Sequence, residues 1–115
     1  MSKDRADADV LLVVATFPDE VKAGQIGTAL VSQQLAACVN VIPAIRSIYR
    51  WENEIHSESE CLAILKTTRD RYEALAQSLA DLHPYDVPEI IAVEPAAVLP
   101  AYARWVAEAC GGGKI

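Results

Sequence analysis

The sequence predicts an α+β domain of the ferredoxin-like type, in which an antiparallel βαββαβ sheet carries both main helices on one face. Three observations lead to this prediction. They are the order of strand-like and helix-like segments, a long hairpin between the second and third strands, and an apolar content large enough for one core. With 115 residues, 52% of them hydrophobic, the chain fits one domain without disulfide or metal staples.

The first strand and helix follow from the pattern near the N-terminus. Residues 10–16, VLLVVAT, form a continuous apolar run that is typical of a central strand. Asp19 can then cap a helix that we expect to reach about Ala36. Gly24 and Gly27 each weaken that helix by about 1 kcal/mol relative to alanine. We therefore expect both glycines to mark close packing against the sheet.

The middle of the chain predicts two strands joined by a tight turn. Residues 38–51 and 58–68 are β-branched, aromatic or alternating, and Pro43 is the one irregular position. Asn53 lies in the connecting turn, where asparagine tolerates a left-handed backbone. The sequence therefore predicts a long β2-β3 hairpin.

The remaining segments complete the plan. Leucines at helical spacing predict a second helix over 69–83, which ends before Pro84. A fourth strand is expected over 87–93 and an extra C-terminal helix over 99–110. We expect a single domain over 10–110, with residues 1–9 as a disordered tail and 111–115 as a flexible tail.

Composition and charge narrow the class of protein. The formal net charge is −6 and no stretch gathers Lys and Arg, so nucleic acid is not an expected partner. No apolar run approaches the roughly 18 residues of a membrane span, and no signal peptide is evident. The three cysteines at 38, 61 and 110 are odd in number and widely spaced, which favours free thiols in the cytoplasm.

The hairpin is longer than the domain that carries it. Residues 38–51 would span roughly 46 Å when fully extended, whereas a compact chain of this size is about 35 Å across. The protruding part carries four large apolar side chains: Ile45, Ile48, Tyr49 and Trp51. An isolated two-stranded ribbon with this much exposed apolar surface is not stable in water, so another surface must bury it. The simplest such surface is a second copy of the same chain. The alternative is that Pro43 bends the strand back onto its own helices and leaves a monomer.

Five short blocks along the chain are distinctive. They are LAACVN at 35–40, SIYRWE at 47–52, ILKTT at 64–68, LHPYDVPEII at 82–91, and Tyr102 with Trp105. In this order they closely resemble the CutA family, the divalent-cation-tolerance proteins, over about residues 10–108. The resemblance implies a ferredoxin-like fold, a homotrimer built through the hairpins, a likeness to PII signalling proteins, and binding of copper or other divalent cations. Asn53 and Ala44 stand where the family often has glycine.

Three residues are candidate metal ligands: Cys38, His83 and Glu89. Imidazole and thiolate suit copper or zinc, and a carboxylate can complete the shell. The predicted fold places His83 and Cys38 at opposite ends of the sheet, so only a neighbouring subunit could unite them. The alternatives are that His83 bonds the last carbonyls of its helix and that Cys38 is a small buried apolar residue.

A small-ligand pocket between subunits is a second candidate site. Its members would be Lys66, Tyr85, Trp51 and Asn40. Lys66 lies in a largely apolar strand, and because an unpaired buried ammonium is costly, we expect it to meet a carboxylate or a polar interface. A structural salt bridge of the assembly is the alternative. His56, close to Glu54 and Glu58, could hold a cation weakly, but we favour a solvated acidic turn.

Motifs of catalysis are missing from the sequence. It contains no GxSxG, no HExxH and no glycine-rich phosphate loop. We therefore expect a non-enzymatic trimer that binds copper or other divalent cations. The alternative is a PII-like module that senses a small ligand in clefts between subunits.

Overall fold

Seven elements follow one another in the predicted order. A computed structural model describes residues 9–111. The elements are β1 (Val10–Phe17), α1 (Glu20–Ser32), β2 (Cys38–Trp51), β3 (Glu54–Thr68), α2 (Tyr72–Leu82), β4 (Ile90–Val93) and α3 (Pro100–Ala109). The strand order is β2-β3-β1-β4 and every neighbouring pair is antiparallel. The predicted α+β ferredoxin-like fold with an extra C-terminal helix is therefore confirmed.

The predicted tails are described only where they join the domain. The backbone carbonyl of Asp9 accepts a hydrogen bond of 2.7 Å from the N–H of Arg69, and the N–H of Gly111 donates one of 2.9 Å to Glu108. The other tail positions, 1–8 and 112–115, lie outside the described residues. In the part of the chain between them, no helix has the length and apolarity needed to cross a membrane.

The main core lies between one face of the sheet and the helices α1 and α2. Val13, Ala15 and Phe17 alternate along β1 toward this side and are at most 2% exposed. The other buried members come from α1, the segment after it, β3 and α2: Ala23, Ile26, Leu30, Leu35, Ala36, Cys61, Ala63, Leu65, Leu75 and Leu79. Alternation along β1 and β3 therefore assigns one face of the sheet to the helices.

A smaller core fixes α3 near the start of β1. Its buried members are Val10, Ala37, Ala103, Val106 and Cys110. The carbonyl of Cys110 accepts a hydrogen bond of 2.9 Å from Nε of Arg71, which ties the end of α3 to the start of α2. Burial also raises the pKa of the Cys110 thiol.

Helix α1 begins as predicted but ends earlier. Oδ1 of Asp19 accepts the N–H of Lys22 at 2.8 Å, so Asp19 is the N-cap. The helix ends at Ser32 and not at Ala36, because Gln34 has φ 62° and this left-handed residue turns the chain. The turn directs the buried Ala36 into the core.

Two strands differ from the predicted ranges. β3 begins at Glu54 and not at residue 58, because Glu54 pairs directly with Trp51 across a two-residue turn. Both turn residues, Glu52 and Asn53, have positive φ (51° and 68°), as type I′ turns require. β4 covers Ile90–Val93 and not 87–93, since pairing with β1 is confined to these four residues.

The hairpin projects from the domain, and the alternative of a bent-back strand is wrong. β2 accommodates Pro43 through a register shift between Ile42 and Ile45, and then pairs with β3 as far as Trp51. The thiol of Cys61 donates a hydrogen bond of 3.1 Å to the Pro43 carbonyl at this irregularity. The molecule measures 50 × 27 × 22 Å, and its radius of gyration of 15.1 Å exceeds the roughly 13 Å of a compact chain.

The two glycines of α1 differ in their surroundings. A Cβ on Gly27 would lie 3.3 Å from Cγ1 of Val39 on β2, so this glycine does mark close packing. A Cβ on the exposed Gly24 would meet nothing within 4 Å, so the prediction of close packing there is wrong.

We expect Gly24→Ala to raise the free energy of unfolding by about 1 kcal/mol, because alanine is the better helix former and no atom opposes its methyl group. Gly27→Ala gains the same propensity but must displace Val39, so its net change should be near zero or negative. Urea unfolding of the two variants at equal protein concentration measures the difference. Equal stabilisation by both substitutions would contradict the packing argument.

Candidate functional site

The face of the sheet opposite α1 and α2 is largely apolar. The strand registers place seven apolar side chains on it: Leu12, Val14, Ile42, Leu62, Ile64, Ile91 and Val93. Ile91 is 52% exposed, and Ile42 and Val93 also lie open to solvent. A continuous apolar surface of this kind marks an interaction site more often than a free surface. We call it the open face.

A polar group interrupts the open face at the start of β2. Cys38 pairs with Lys66 across β2 and β3. Nζ of Lys66 donates a hydrogen bond to Oδ1 of Asn40 and lies 4.0 Å from Sγ of Cys38. The lysine thus meets an amide and a thiol, and the carboxylate partner that we considered for it is not part of this group. We call Cys38, Asn40 and Lys66 the Lys66 group.

Tyr102 on α3 lies next to the Lys66 group. Its ring packs against Trp105 with centroids 5.5 Å apart. Burial, with a smaller effect from Cys38, raises the pKa of the Tyr102 phenol. The phenol therefore stays protonated at neutral pH. Sequence reasoning did not assign Tyr102 to this site, because the contact depends on how α3 packs on the sheet.

His83 lies at the opposite end of β1, where both ring nitrogens are engaged. Nε2 is 2.7 Å from the carbonyl oxygen of Thr16, and Nδ1 accepts the N–H of Tyr85 at 3.1 Å. Together these bonds require the neutral ring with its proton on Nε2. The ring is buried and stacks on Phe17 at 4.8 Å. The alternative that His83 bonds the last carbonyls of its helix holds for its backbone N–H, which donates to Leu79 at 2.9 Å, and is wrong for its side chain, which bonds a carbonyl of β1.

Tyr85 forms an acid–phenol pair with Glu60. The phenol donates a hydrogen bond of 2.6 Å to Oε2 of Glu60, a carboxylate that is 9% exposed. Burial, followed by this hydrogen bond, raises the pKa of the Tyr85 phenol, which keeps it a donor. Sequence reasoning missed Glu60. The signal was present, because a charged residue directly before the apolar run of β3 requires a polar partner.

The projecting hairpin carries a second acid–phenol pair. The hydroxyl of Tyr49 donates a hydrogen bond of 2.7 Å to Oε1 of Glu58, which raises the pKa of this phenol. His56 stacks on the Tyr49 ring with centroids 5.3 Å apart. His56 is therefore part of an aromatic stack and is not simply a solvated residue of an acidic turn.

One chain does not bring the three candidate metal ligands together. Cys38 pairs with Lys66, which pairs with Leu12 near the start of β1. His83 instead contacts Thr16 near the end of β1. Four residues of strand separate these two positions of β1 by about 13 Å. Glu89 is exposed and precedes β4. Within residues 9–111, no three His, Cys, Asp or Glu side chains form a group that could hold a metal ion.

The four candidate pocket residues are also separated within one chain. Lys66 and Asn40 are in contact, but Tyr85 lies at the far end of β1 with Glu60. Trp51 ends β2 at the tip of the hairpin and is 49% exposed. A pocket that contains all four residues therefore needs a second subunit.

Comparison with known proteins identifies a family whose members match this chain over nearly the whole described domain. The family described as CutA1 divalent ion tolerance protein matches residues 11–109. The divalent-cation tolerance protein CutA of Thermus thermophilus is 42% identical over 100 residues, which make up 87% of this chain and 97% of that protein. The chain spans about half of the length of some longer relatives.

Solved structures share the fold over nearly the whole domain. CutA from Xylella fastidiosa has a TM-score of 0.86 and 38% identity, over 89% of this chain and 98% of that chain. A protein of Archaeoglobus fulgidus described as periplasmic divalent cation tolerance protein CutA has a TM-score of 0.85 and 28% identity, over 88% and 98% of the two chains. The chain therefore belongs to the CutA1 family of divalent ion tolerance proteins.

Proposed function

We propose that the protein is a homotrimer that binds copper or another divalent cation and contributes to metal tolerance without catalysing a reaction. The observation that carries the assembly is the apolar open face together with the projecting hairpin. The metal part rests on the names of the relatives, which speak of divalent ions and divalent cations. The proposed ligands are Cys38, His83 and Glu89.

The hairpin supports assembly because residues 9–111 leave several of its large apolar side chains uncovered. Ile48 is 70% and Ile55 68% exposed, and Tyr49 and Trp51 are also open to solvent. Ile45 is half-buried. A two-stranded ribbon with this surface is stable when a partner covers it, and copies of one chain most often form closed rings.

A ring of subunits is also what the metal proposal requires. Cys38 has a half-buried thiol on the open face, where a neighbouring sheet can approach. Glu89 is exposed and free to turn toward a neighbour. His83 is the most constrained of the three, because a metal on either nitrogen replaces the bond to Thr16 or the bond to Tyr85.

Light scattering with and without copper tests the assembly first. The expected mass is three times that of the 12.4 kDa chain in both conditions. Calorimetric titration with copper and zinc then tests binding, which should be saturable and weakened by Cys38→Ser and Glu89→Gln. Cys61→Ser and Glu73→Gln are matched controls away from the proposed ligands. A mass of one chain contradicts the trimer, and equal titrations of all four variants contradict the ligand assignment.

A second candidate function is a PII-like module that binds a small ligand at the Lys66 group. One observation favours it: a lysine, an amide and a thiol interrupt an otherwise apolar face next to Tyr102. A thermal-shift screen of small anionic metabolites tests this candidate, because a ligand that binds the folded state raises stability by mass action. A shift abolished by Lys66→Met supports it, and no shift with any compound contradicts it.

We also propose that the protein resides in the cytoplasm. Its three cysteines are free: Cys38 is half-buried, and Cys61 and Cys110 are buried. Unpaired thiols of this kind suit a reducing compartment. Fractionation of the source cells tests the proposal, and recovery with periplasmic markers would contradict it.

A further inference from the structure

The two faces of the projecting hairpin carry opposite charge. Cross-strand partners share a face, so the register assigns each paired side chain, from Ile45 to Trp51 and from Glu54 to Glu60, to one of two sides. One side, the arginine face, holds Arg46, Ile48, Arg50, Ile55, Ser57 and Ser59. The other side, the glutamate face, holds Ile45, Ser47, Tyr49, Trp51, Glu54, His56, Glu58 and Glu60. The first side contains two cations and no acid, and the second contains three acids and no lysine or arginine.

Among residues 9–111, the arginines of one face and the glutamates of the other form no ion pair. Arg46 donates a hydrogen bond of 3.1 Å from Nη1 to the hydroxyl of Ser57. Among residues 9–111, neither Arg46 nor Arg50 has a carboxylate within ion-pair distance, and the described ion pair lies elsewhere, between Arg69 and Glu94. On the glutamate face, the Glu58 carboxylate accepts a hydrogen bond from the Tyr49 phenol and pairs with no cation of the described part of the chain. Both faces thus present charges that are available to a partner.

Each face also offers apolar area beside its charges. Ile48 and Ile55 lie beside the two arginines and are the most exposed large apolar side chains of the hairpin. Tyr49 and Trp51 lie beside the glutamates. The two opposite faces of the hairpin therefore carry opposite charges, and each face also carries apolar side chains.

We propose that the arginine face of one subunit docks onto the glutamate face of the next subunit. The inference rests on the proposed homotrimer and names the surfaces that join its members. Arg46 and Arg50 pair there with Glu54 and Glu58 of a second copy, while Ile48 and Ile55 cover Tyr49 and Trp51. The occupant of each face is a second copy of this chain, because the two faces complement each other in charge.

The charge pattern also selects the symmetry. In a two-fold dimer built on this ribbon, one face would meet its own copy, which places arginine against arginine or glutamate against glutamate. Like charges across an interface are unfavourable. A head-to-tail contact joins unlike faces at every step and closes when the rotation completes a ring.

Charge reversal tests the contact. The variants are Arg46→Glu with Arg50→Glu, Glu54→Lys with Glu58→Lys, and the combination of all four substitutions. Each reversed pair should dissociate at a protein concentration at least tenfold higher than the wild type, measured by light scattering at low salt and moderate urea. The combined variant again opposes unlike charges at each contact, so it should return to within about threefold of the wild type. Raising the salt should narrow all differences.

Controls separate this inference from the trimer itself. Glu73→Lys with Asp81→Lys makes the same charge change on the exposed side of α2 and should leave dissociation unchanged. Arg46→Gln with Arg50→Gln tests the cations should the reversed pairs fail to fold. Two results would overturn the inference and leave the trimer intact. In the first, the wild type is a trimer and all variants dissociate at the same concentration as the wild type. In the second, the combined variant dissociates as readily as the singly reversed pairs. A wild type with the mass of one chain overturns both.

Discussion

Replacing residues 46–59 by an Asn-Gly turn is expected to convert the proposed trimer into single chains at micromolar concentration. Ile45 and Glu60 pair directly, so a two-residue turn can join them without changing the register. The excision removes Ile48, Tyr49, Trp51 and Ile55, which are the exposed large apolar side chains of the hairpin beyond Ile45. The remaining domain should still fold, because the buried cores contain no residue of the excised segment.

Light scattering gives the mass of the shortened protein, and far-UV circular dichroism shows whether it is folded. Asn53→Gly is the matched control, since it alters the same turn, keeps positive φ at position 53 and leaves the ribbon in place. The control should keep the mass of the wild type. A folded, trimeric shortened protein would show that the open face alone joins the subunits.

The element order could be predicted from the sequence because apolar periodicity, Asp19 as a cap and Asn53 in the turn are all local signals. The residues at which β4 begins and α1 ends could not be predicted from the sequence. β4 is short because only four of its residues pair with β1. α1 ends before Gln34, whose left-handed backbone is not a preference of glutamine. Boundaries of this kind are decided by tertiary packing.

The candidate site shows the same division between local and tertiary information. Sequence placed Cys38 and His83 at opposite ends of the sheet, which follows from topology alone. It could not show that Thr16 and Tyr85 occupy both nitrogens of His83, because these are backbone groups that any sequence carries. It also could not pair Tyr85 with Glu60, since that contact depends on the path of the loop after α2.

His83→Ala is expected to lower the free energy of unfolding by about 4 kcal/mol in metal-free buffer. The substitution empties a buried space beside Phe17 and leaves the Thr16 carbonyl and the Tyr85 N–H without their partner. His56→Ala is the matched control. Its ring stacks on Tyr49 on the projecting hairpin, so we expect a loss of about 1 kcal/mol or less.

His83→Phe separates packing from hydrogen bonding, because it keeps an aromatic ring against Phe17 and removes both nitrogens. Its expected loss is about 2 to 3 kcal/mol, since two backbone groups remain unsatisfied. Urea unfolding with a chelator present, at one protein concentration for all variants, measures these differences. If His83→Ala and the wild type have the same free energy of unfolding in the absence of metal, the two bonds to backbone groups do not stabilise the fold. His83 would then act chiefly as a metal ligand, and its stabilising effect should appear only when copper or zinc is added.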